Sequence, residues 1–237
     1  MKYKIIIPAR YNSTRLPGKP LKKIGGIPLV IKTAMNCTNV FDKSLIVICT
    51  DDERIRHECE KYSFKWSMTS AKCLTGMDRV SEFALKDDAS YYVNVQGDEP
   101  FIDPVDIDNL ANLARTKMSN MTTLFSSLHH EDFSDDNVVK LWLDSEGKVE
   151  NFSRRVNDEN TINAKKHIGL YCYKAKFLRE FVKWKQTSNE IERSLEQMRA
   201  MDNGEEIYAI ESVGKYHLGV DTESDLNKAV EISKNFK

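Results

Sequence analysis

The sequence predicts an α/β protein, a three-layer sandwich with a mostly parallel central sheet and a small β-rich insertion. Continuous apolar runs of the kind buried on both faces of a sheet occupy residues 5–7 and 45–49, and residues 91–95 are predicted to form a further buried strand. Helical patterns follow these runs, and strand–helix alternation favours parallel pairing through right-handed crossovers. The 237 residues suit a single domain, residues 1–237, with an insertion.

The helices are predicted from apolar periodicity and from their terminal residues. Asp103 and Pro104 form an N-cap followed by a proline in the first turn. Thr222 begins a capping-box pattern, and Gly204 can end the preceding helix. Helices are predicted from residue 27, over residues 53–62, 105–117, 175–186 and 189–203, and after residue 222. Further strands are predicted over residues 64–68, 166–173, 206–211 and 217–220.

The organisation changes between about residues 118 and 166. Residues 121–127 are strand-like, and two strand patterns flank the turn at residues 144–147, which predicts an antiparallel hairpin. A β-rich excursion within a parallel α/β chain is commonly a lid or a dimer arm. We expect this insertion to have one of these roles.

The composition excludes several classes of function. The formal net charge is −1, so no bulk attraction to nucleic acid or to an anionic membrane is expected. No apolar run approaches the length of a membrane span, and no export signal is expected at the N-terminus. The five cysteines are scattered without a C-x-x-C pair, which favours reduced thiols in the cytoplasm.

A basic loop follows the first strand, and we define it as residues 10–19. Arg10, Arg15 and Lys19 lie within these ten residues, and three cations so close together favour an anionic ligand such as a nucleoside triphosphate. A simple solvated basic loop is an equally good interpretation of the charge alone. The loop is not a Walker motif, because Pro20 follows Lys19 and Ser13 stands where the first glycine would be.

Two acidic residues are predicted to lie at strand ends on the same side of the sheet. Asp98 follows the strand at residues 91–95, and Asp221 follows residues 217–220. Ligands of parallel α/β sheets bind outside the carboxyl ends of the strands. Each aspartate taken alone is more often a turn former or a helix cap.

Two further patterns allow a structural and a functional interpretation. In residues 166–173 the alternation of side chains places His167 and Tyr171 on one face, which is either surface or a ligand-binding face. In residues 189–203 Glu192, Glu196 and Arg199 share one helical side, which on the pattern alone is an ion-paired surface stripe.

The loop PARYNSTRLPGKPL resembles the signature loop of the CMP-sugar-acid synthetases, in particular the 3-deoxy-manno-octulosonate cytidylyltransferases. The resemblance continues through the segments QGDEP, FSR, HIG-x-Y, SLEQ-x-R and GVDT, and so covers most of the chain. It implies a nucleotide-diphospho-sugar transferase-like fold. It also implies transfer of a cytidylyl group from CTP to a 2-keto-3-deoxy sugar acid, for bacterial surface polysaccharide synthesis.

The same resemblance implies roles for individual residues. It implies that Asp98 and Asp221 bind Mg²⁺ as the cofactor and that they act with Lys19 in catalysis. The nucleotide-binding residues implied are Arg10, Ser13, Arg15, Lys19 and Arg79. The sugar-binding residues implied are Arg79, Gln96, Arg154, His167, Tyr171, Glu196 and Gln197. A homodimer is implied as well.

The chain departs from the family pattern in two places. Cys73 stands where the family often has a histidine, and Met77 replaces a threonine in the segment TGMDR. After FSR, residues 155–158 replace a proline-rich turn. These departures leave open a modified acceptor, such as an amino-substituted octulosonate.

Three alternative functions are considered. An N-acylneuraminate cytidylyltransferase shares the chemistry, but its loop differs after the first arginine. A sugar-1-phosphate nucleotidylyltransferase would have a glycine-richer phosphate loop. A catalytically inactive nucleotide-binding protein on the same scaffold is the third, and the presence of both carboxylates and the loop cations argues against it.

Overall fold

A computed structural model describes residues 3–156 and 162–235 of the chain. The strands are β1 Tyr3–Ala9, β2 Lys23–Ile24, β3 Ile27–Pro28, β4 Ile46–Thr50, β5 Lys65–Met68, β6 Tyr91–Asn94, β7 Met121–Ser126, β8 Lys140–Leu143, β9 Val149–Ser153, β10 Lys165–Lys174 and β11 Ile207–Glu211. The helices are α1 Leu29–Cys37, α2 Glu53–Lys61, α3 Gly76–Ala84, α4 Pro104–Thr116, α5 Ala175–Phe181, α6 Ser188–Arg193, α7 Met198–Asp202 and α8 Glu223–Asn235. Short 3₁₀ turns occupy Lys19–Leu21, Lys43–Leu45 and His130–Asp132.

The central sheet is mostly parallel, as predicted. Its strand order is β11-β7-β10-β6-β1-β4-β5, and β10 runs antiparallel to both of its neighbours in this order. The pairs β1–β4, β1–β6, β4–β5 and β7–β11 are parallel. The carboxyl ends of β1, β4 and β6 therefore meet at one edge of the sheet, where ligands of such folds bind.

Two layers of helices cover the two faces of the sheet. Ile5 and Ile7 of β1 pack into an apolar cluster with residues of α1, α2 and α4. Ile6 points to the opposite face and packs into a second cluster with residues of α3 and α5. All three isoleucines have no exposed surface, which explains the continuous apolar run in the sequence.

A third, smaller apolar cluster connects distant parts of the chain beside the sheet. It joins Leu16 of the basic loop to Leu29 at the start of α1, and to Val220 and Leu226 near the C-terminus. This packing brings the segment before α8 alongside the basic loop. The two segments are about 200 residues apart in sequence, so tertiary packing alone holds them together.

The predicted hairpin within the insertion is confirmed. Strands β8 and β9 pair antiparallel, and β8 also pairs with β10. The turn between them is fastened to the sheet edge, because the amide of Ala209 in β11 donates to the carbonyl of Gly147 at 2.9 Å. The single domain and the role of the insertion as a lid or dimer arm remain predictions.

Several predicted helix and strand boundaries were wrong. The helix predicted over residues 175–186 ends at Phe181, and the helix predicted over 189–203 is two short helices, α6 and α7. Ser194 between them has a left-handed backbone, with φ of 52°. Glu192, Glu196 and Arg199 consequently share no helical face, because Arg199 is buried and Glu192 is exposed.

Two more corrections concern the segments next to the basic loop and α8. Ile27 begins a two-residue strand paired with Ile24 across a turn of two glycines with positive φ, so α1 starts only at Leu29. Residues 217–220 form no strand, and Asp221 therefore lies in a loop rather than at a strand end.

Candidate active site

A cavity of about 660 Å³ opens at the carboxyl edge of the sheet. Three walls line it: the end of β1 with the basic loop, the segment from residue 73 to α3, and the segment from residue 186 to residue 196. The turn after β6 and the loop before α8 complete the floor. The predicted site residues that line the cavity are Arg10, Ser13, Arg15, Lys19, Arg79, Gln96, Asp98, Glu196 and Asp221.

We define the charged end of the cavity as Arg15, Lys19, Asp98 and Asp221. The Lys19 ammonium contacts Asp98 Oδ2 directly and donates to Asp221 Oδ1 at 2.9 Å. Arg15 Nη2 lies 2.9 Å from Asp221 Oδ2. The two aspartates that the sequence places 123 residues apart therefore share one cationic group.

The backbone at the charged end is fixed by two glycines. Gly18 has φ of 66°, a left-handed conformation that directs Lys19 into the cavity from a short 3₁₀ turn. A Cβ atom on Gly97 would lie 2.9 Å from the carbonyl oxygen of Pro8, so only glycine lets the turn before Asp98 pack against β1. The amide of Val220 donates to the carbonyl of Asp98 at 2.9 Å, which places Asp221 beside Asp98 without a strand.

Mutual attraction favours the charged forms of Lys19 and Asp221. Burial by itself disfavours the charged forms of Lys19 and Asp221. The neighbouring carboxylates outweigh burial at Lys19 and raise its pKa above the usual value. Burial likewise opposes ionisation of Asp221, but Lys19 and Arg15 lower the pKa of this carboxyl below its usual value.

Arg79 lines the cavity but is already held by protein groups. Its side chain is 3% exposed, and its guanidinium donates to Asp51 Oδ2 at 2.9 Å and contacts Thr69 Oγ1. The Arg79 guanidinium is thus held by Asp51, directly after β4, and by Thr69. Its predicted contact with nucleotide or sugar stays a prediction.

Glu196 and Gln96 lie on the side of the cavity next to the start of α3. Glu196 accepts a hydrogen bond from the amide of Met77 at 3.0 Å, and burial raises the pKa of its carboxyl. The side chain of Gln96 lies close to Gly76, where an added Cβ would be 3.6 Å from Gln96 Oε1. Both residues border the surface that a ligand would touch.

A buried clamp, which we define as Asp78, Glu190 and Arg199, joins two walls of the cavity. Arg199 Nε donates to Glu190 Oε2 at 2.7 Å, and Arg199 Nη1 donates to Asp78 Oδ1 at 2.9 Å. The guanidinium also lies 4.4 Å from the centre of the Phe181 ring. Asp78 forms the capping box of α3 with Thr75, so the clamp fixes the helix start against α6 and α7.

Four predicted sugar-binding residues do not line the cavity. Arg154 donates to the carbonyls of residues 136, 137, 193 and 194, and so connects two loops. Tyr171 and Gln197 are each 3% exposed. His167 Nε2 lies 3.0 Å from Thr123 Oγ1.

His167 and Tyr171 lie side by side as predicted, and Tyr171 is buried whereas His167 is only partly buried. The centres of the two rings lie 5.4 Å apart. Burial, with a smaller effect of the Arg154 charge, lowers the pKa of His167 to about 3. The imidazole is therefore neutral at physiological pH.

The sequence-based prediction missed Glu99, which directly follows Asp98. Burial raises the pKa of Glu99 to about 8, and the negative charges of Asp98 and Asp221 add to the effect. A Cβ atom on Gly169 would lie 3.4 Å from Glu99 Oε1, so the side chain reaches β10. Its position next to Asp98 in QGDEP was the available signal. The buried clamp was also missed, since Glu190 and Arg199 have no helical spacing.

The departures from the family pattern have different structural positions. Met77 has no exposed surface, packs in the core and is not among the residues that line the cavity. Cys73 lines the cavity, and its thiol donates to Glu82 Oε2 at 3.3 Å. Asn157 and Asp158 of the second departure lie outside the described residues.

The fold and the charged end define a class of protein. A mostly parallel sheet carries, at its carboxyl edge, a loop of cations that faces two carboxylates across a cavity. Transfer of a nucleotidyl group requires cations that can hold phosphates. It also requires, beside them, hard oxygen ligands that can hold a divalent cation. The class is that of the nucleotidyltransferases.

Comparison with known proteins identifies the family. The family model described as Cytidylyltransferase matches residues 4–207. The 3-deoxy-manno-octulosonate cytidylyltransferase of Geobacter metallireducens is 39% identical, with 100% of both chains covered. That of Geobacter sulfurreducens is 40% identical over 95% of this chain and 97% of its own. The chain therefore belongs to the cytidylyltransferase family, in its group of 3-deoxy-manno-octulosonate cytidylyltransferases, and the resemblance found in the sequence is confirmed.

Solved structures agree with this assignment. A CMP:2-keto-3-deoxy-manno-octonic acid synthetase complexed with CTP has a TM-score of 0.91 and 30% identity, with 100% of both chains covered. A putative glucose-1-phosphate thymidylyltransferase from Bacillus anthracis has a TM-score of 0.73 and 16% identity, with 99% of this chain and 96% of its own covered. The second likeness concerns the fold alone.

Within residues 3–156 and 162–235, no helix is both long enough and apolar enough to cross a bilayer.

Proposed function

We propose that this protein activates 3-deoxy-manno-octulosonate with CTP, giving the CMP-sugar and pyrophosphate for bacterial surface polysaccharide synthesis. The observation that carries the proposal is the charged end, where Lys19 bridges Asp98 and Asp221 inside the cavity. Relatives named 3-deoxy-manno-octulosonate cytidylyltransferase, which match the whole chain, support the same reaction. They do not favour the N-acylneuraminate alternative.

The residues at the charged end fit Mg²⁺. Asp98 and Asp221 both contact the Lys19 nitrogen, and this proximity of their oxygens supports a shared site for one cation. Within residues 3–156 and 162–235 no cluster of three or more His, Cys, Asp or Glu side chains is suited to a metal. Mg²⁺ commonly accepts one or two carboxylates and completes its coordination with substrate phosphates and water. When bound, it supplies charge neutralisation at the transferring phosphate.

The side chains of the basic loop supply the remaining positive charge. Arg10, Ser13, Arg15 and Lys19 line one wall of the cavity and would hold the triphosphate, with Arg79 on the opposite wall. The anomeric hydroxyl oxygen of the sugar acid forms the new bond to the α-phosphorus as pyrophosphate departs. The proton of this anomeric hydroxyl passes to a carboxylate of the Asp98–Asp221 pair or to solvent. Catalysis then rests on positioning and on preorganised charge.

The sugar acid would occupy the side of the cavity bordered by Gln96 and Glu196. A sugar carboxylate needs a cationic partner, and of the predicted sugar-binding residues Arg79 lines the cavity, whereas Arg154 and the neutral His167 do not. Arg154, His167, Tyr171 and Gln197 are proposed as sugar-binding residues that support this side. Within the first departure, Cys73 lines the cavity whereas Met77 is buried in the core, so Cys73 is the residue of that segment proposed to alter the acceptor.

The assembly and location of the protein are also proposals. A homodimer is proposed from the family resemblance, with the insertion around residues 118–166 as its arm or as a lid. A cytoplasmic location is supported by the five cysteines, all of which are free thiols.

Release of pyrophosphate with CTP and Mg²⁺, measured across a panel of acceptors, tests the proposal. The panel contains 3-deoxy-manno-octulosonate, an amino-substituted octulosonate and N-acetylneuraminate. We expect the highest kcat/KM for one of the octulosonates and no turnover with N-acetylneuraminate. Tight CTP binding without pyrophosphate release for any acceptor would instead indicate a nucleotide-binding protein.

A further inference from the structure

The charged end contains two cationic side chains and two carboxylates, which neutralise each other. Lys19 occupies one oxygen of Asp98 and one oxygen of Asp221, and Arg15 occupies the other oxygen of Asp221. Arg15 also donates to Asn137 Oδ1 at 3.4 Å. Two carboxylates thus face two cations, and Lys19 occupies the position between Asp98 and Asp221 that a divalent cation bound to both carboxylates would need.

An ammonium group and a divalent cation compete for such oxygens. Both need to lie within about 3 Å of the same carboxylates, and two cations at that separation repel each other strongly where water is partly excluded. The side chain of Lys19 is 16% exposed and that of Asp98 is 25% exposed, so the pair is screened only in part. A divalent cation can enter this position only if Lys19 leaves it.

The basic loop allows Lys19 to change partners without a change of fold. Its backbone is fixed by the 3₁₀ turn Lys19–Leu21, but the lysine side chain is a flexible stem with a mobile charge. The same ammonium faces the cavity in which the triphosphate would lie. Phosphate oxygens offer it a second set of acceptors, and Arg15, whose side chain is 53% exposed, has the same choice.

We propose that Lys19 is a positioning residue that holds Asp98 and Asp221 together before the nucleotide arrives, and that the nucleotide phosphates then draw Lys19 away and free both carboxylates for a divalent cation. The inference rests on the proposed function of the same site. It makes nucleotide binding and cation binding mutually dependent. By linkage, each ligand strengthens the other by the same factor.

The inference predicts that the nucleotide-free protein binds divalent cations weakly because of Lys19. Titration of Mn²⁺ into the nucleotide-free protein, followed by the paramagnetic resonance signal of free Mn²⁺, measures this affinity directly. Lys19→Met keeps the length of the side chain and removes its charge. We expect Lys19→Met to bind Mn²⁺ about tenfold or more tightly than the unmodified protein, within the usual range of coupling between sites.

Lys22→Met is the matched control. Lys22 lies three residues further along, is paired with Glu223 at 3.9 Å and is partly exposed, and its loss changes the net charge equally. A long-range effect of charge would raise the Mn²⁺ affinity of both variants, whereas direct competition raises it only in Lys19→Met. We expect the affinity of Lys22→Met to stay within about twofold of the unmodified value.

Two further variants make the outcome decisive. Lys19→Gln repeats the test with a polar side chain, in case Lys19→Met folds poorly, and thermal unfolding monitors both. Adding Asp98→Asn to Lys19→Met should remove the gained affinity. The inference would be overturned by an unchanged Mn²⁺ affinity in both Lys19 variants. It would also be overturned by an equal gain of affinity in Lys22→Met, or by a gain that survives the addition of Asp98→Asn. Pyrophosphate release by the unmodified protein reports separately on the proposed function, so the two failures are distinguishable.

Discussion

The charged end and the buried clamp are two ionic clusters beside one cavity, and they differ in their exposure to solvent. Both join segments far apart in the chain, and each places a cationic side chain between carboxylates. At the clamp, Arg199 and Glu190 are 4% and 3% exposed and Asp78 is 19% exposed, whereas exposure at the charged end ranges from 16% for Lys19 to 53% for Arg15. Ions that keep contact with solvent can exchange partners with a ligand, but buried ions cannot do so without a large cost.

We infer that the charged end serves turnover and that the buried clamp serves stability. Substitutions at the charged end are expected to impair turnover and leave the fold in place. Substitutions at the clamp are expected to destabilise the protein first.

The largest expected effect is on turnover after replacement of a carboxylate at the charged end. Asp98→Asn and Asp221→Asn each keep the shape of the side chain but remove the negative charge that would bind Mg²⁺. Each should abolish Mg²⁺-dependent pyrophosphate release while the melting temperature stays close to that of the unmodified protein. Full activity in either variant would remove that residue from the site.

The next effect is on stability, through the buried clamp. Arg199→Met leaves the Glu190 carboxylate buried without its partner, which is expected to lower the free energy of unfolding by about 3–5 kcal/mol. Urea denaturation measures this change. Arg155→Met is the matched control, because Arg155 forms an ion pair with Asp136 at 3.1 Å and is 84% exposed. The control should cost at most about 1 kcal/mol, and an equal loss in both variants would contradict the comparison.

A smaller effect on the reaction barrier is expected at Lys19. Lys19→Ala removes a preorganised cation from the triphosphate and should raise the barrier by about 2–4 kcal/mol. The measurement is kcat/KM for CTP at saturating acceptor. An unaltered kcat/KM would show that Lys19 has no part in the reaction.

The smallest effect concerns the pH dependence of stability at His167. The folded protein holds the pKa of His167 at about 3, whereas an unfolded chain has it near the usual 6.5. Below pH 6.5 the unfolded state therefore binds a proton that the folded state does not, and stability falls as pH decreases toward 3. His167→Gln should reduce this decline by up to about 1.4 kcal/mol per pH unit.

Unfolding free energies at pH 6 and pH 5 measure that slope. His130→Gln is the control, because His130 is exposed in the connection after β7. Identical slopes in the unmodified protein and in His167→Gln would mean that His167 is not buried as a neutral group.

Local sequence patterns predicted the buried central strands and the position of Asp98, although the strand predicted over residues 217–220 is absent. Apolar runs identified the buried strands β1, β4 and β6, and the rule that ligands bind at the carboxyl ends of parallel strands placed Asp98 beside the basic loop. The expected meeting of Asp98 and Asp221 is confirmed by their shared contact with Lys19.

The route by which Asp221 reaches the site could not be predicted. Residues 217–220, directly before Asp221, form no strand. The position of Asp221 instead depends on the hydrogen bond from Val220 to Asp98 and on the packing of Leu226 and Leu16 in one apolar cluster. Such contacts join residues distant in sequence, and one chain alone gives no signal for them.

The wall formed by α6 and α7 was equally beyond local patterns. Residues 189–203 have a helical periodicity, yet Ser194 adopts a left-handed conformation and divides the segment. Because of that break, Glu196 turns to the amide of Met77 and Arg199 turns to Glu190 and Asp78. Tertiary ion pairs, rather than helix propensity, determine the local structure here.

We propose that Asp98 and Asp221 together hold one divalent cation beside the nucleotide. An anomalous difference map from crystals of the protein grown with CTP and Mn²⁺ would locate this cation. We expect a Mn²⁺ peak within coordination distance of both carboxylates, with Lys19 turned toward the phosphates. A Mn²⁺ peak distant from either aspartate, with Lys19 still between the two carboxylates, would contradict it.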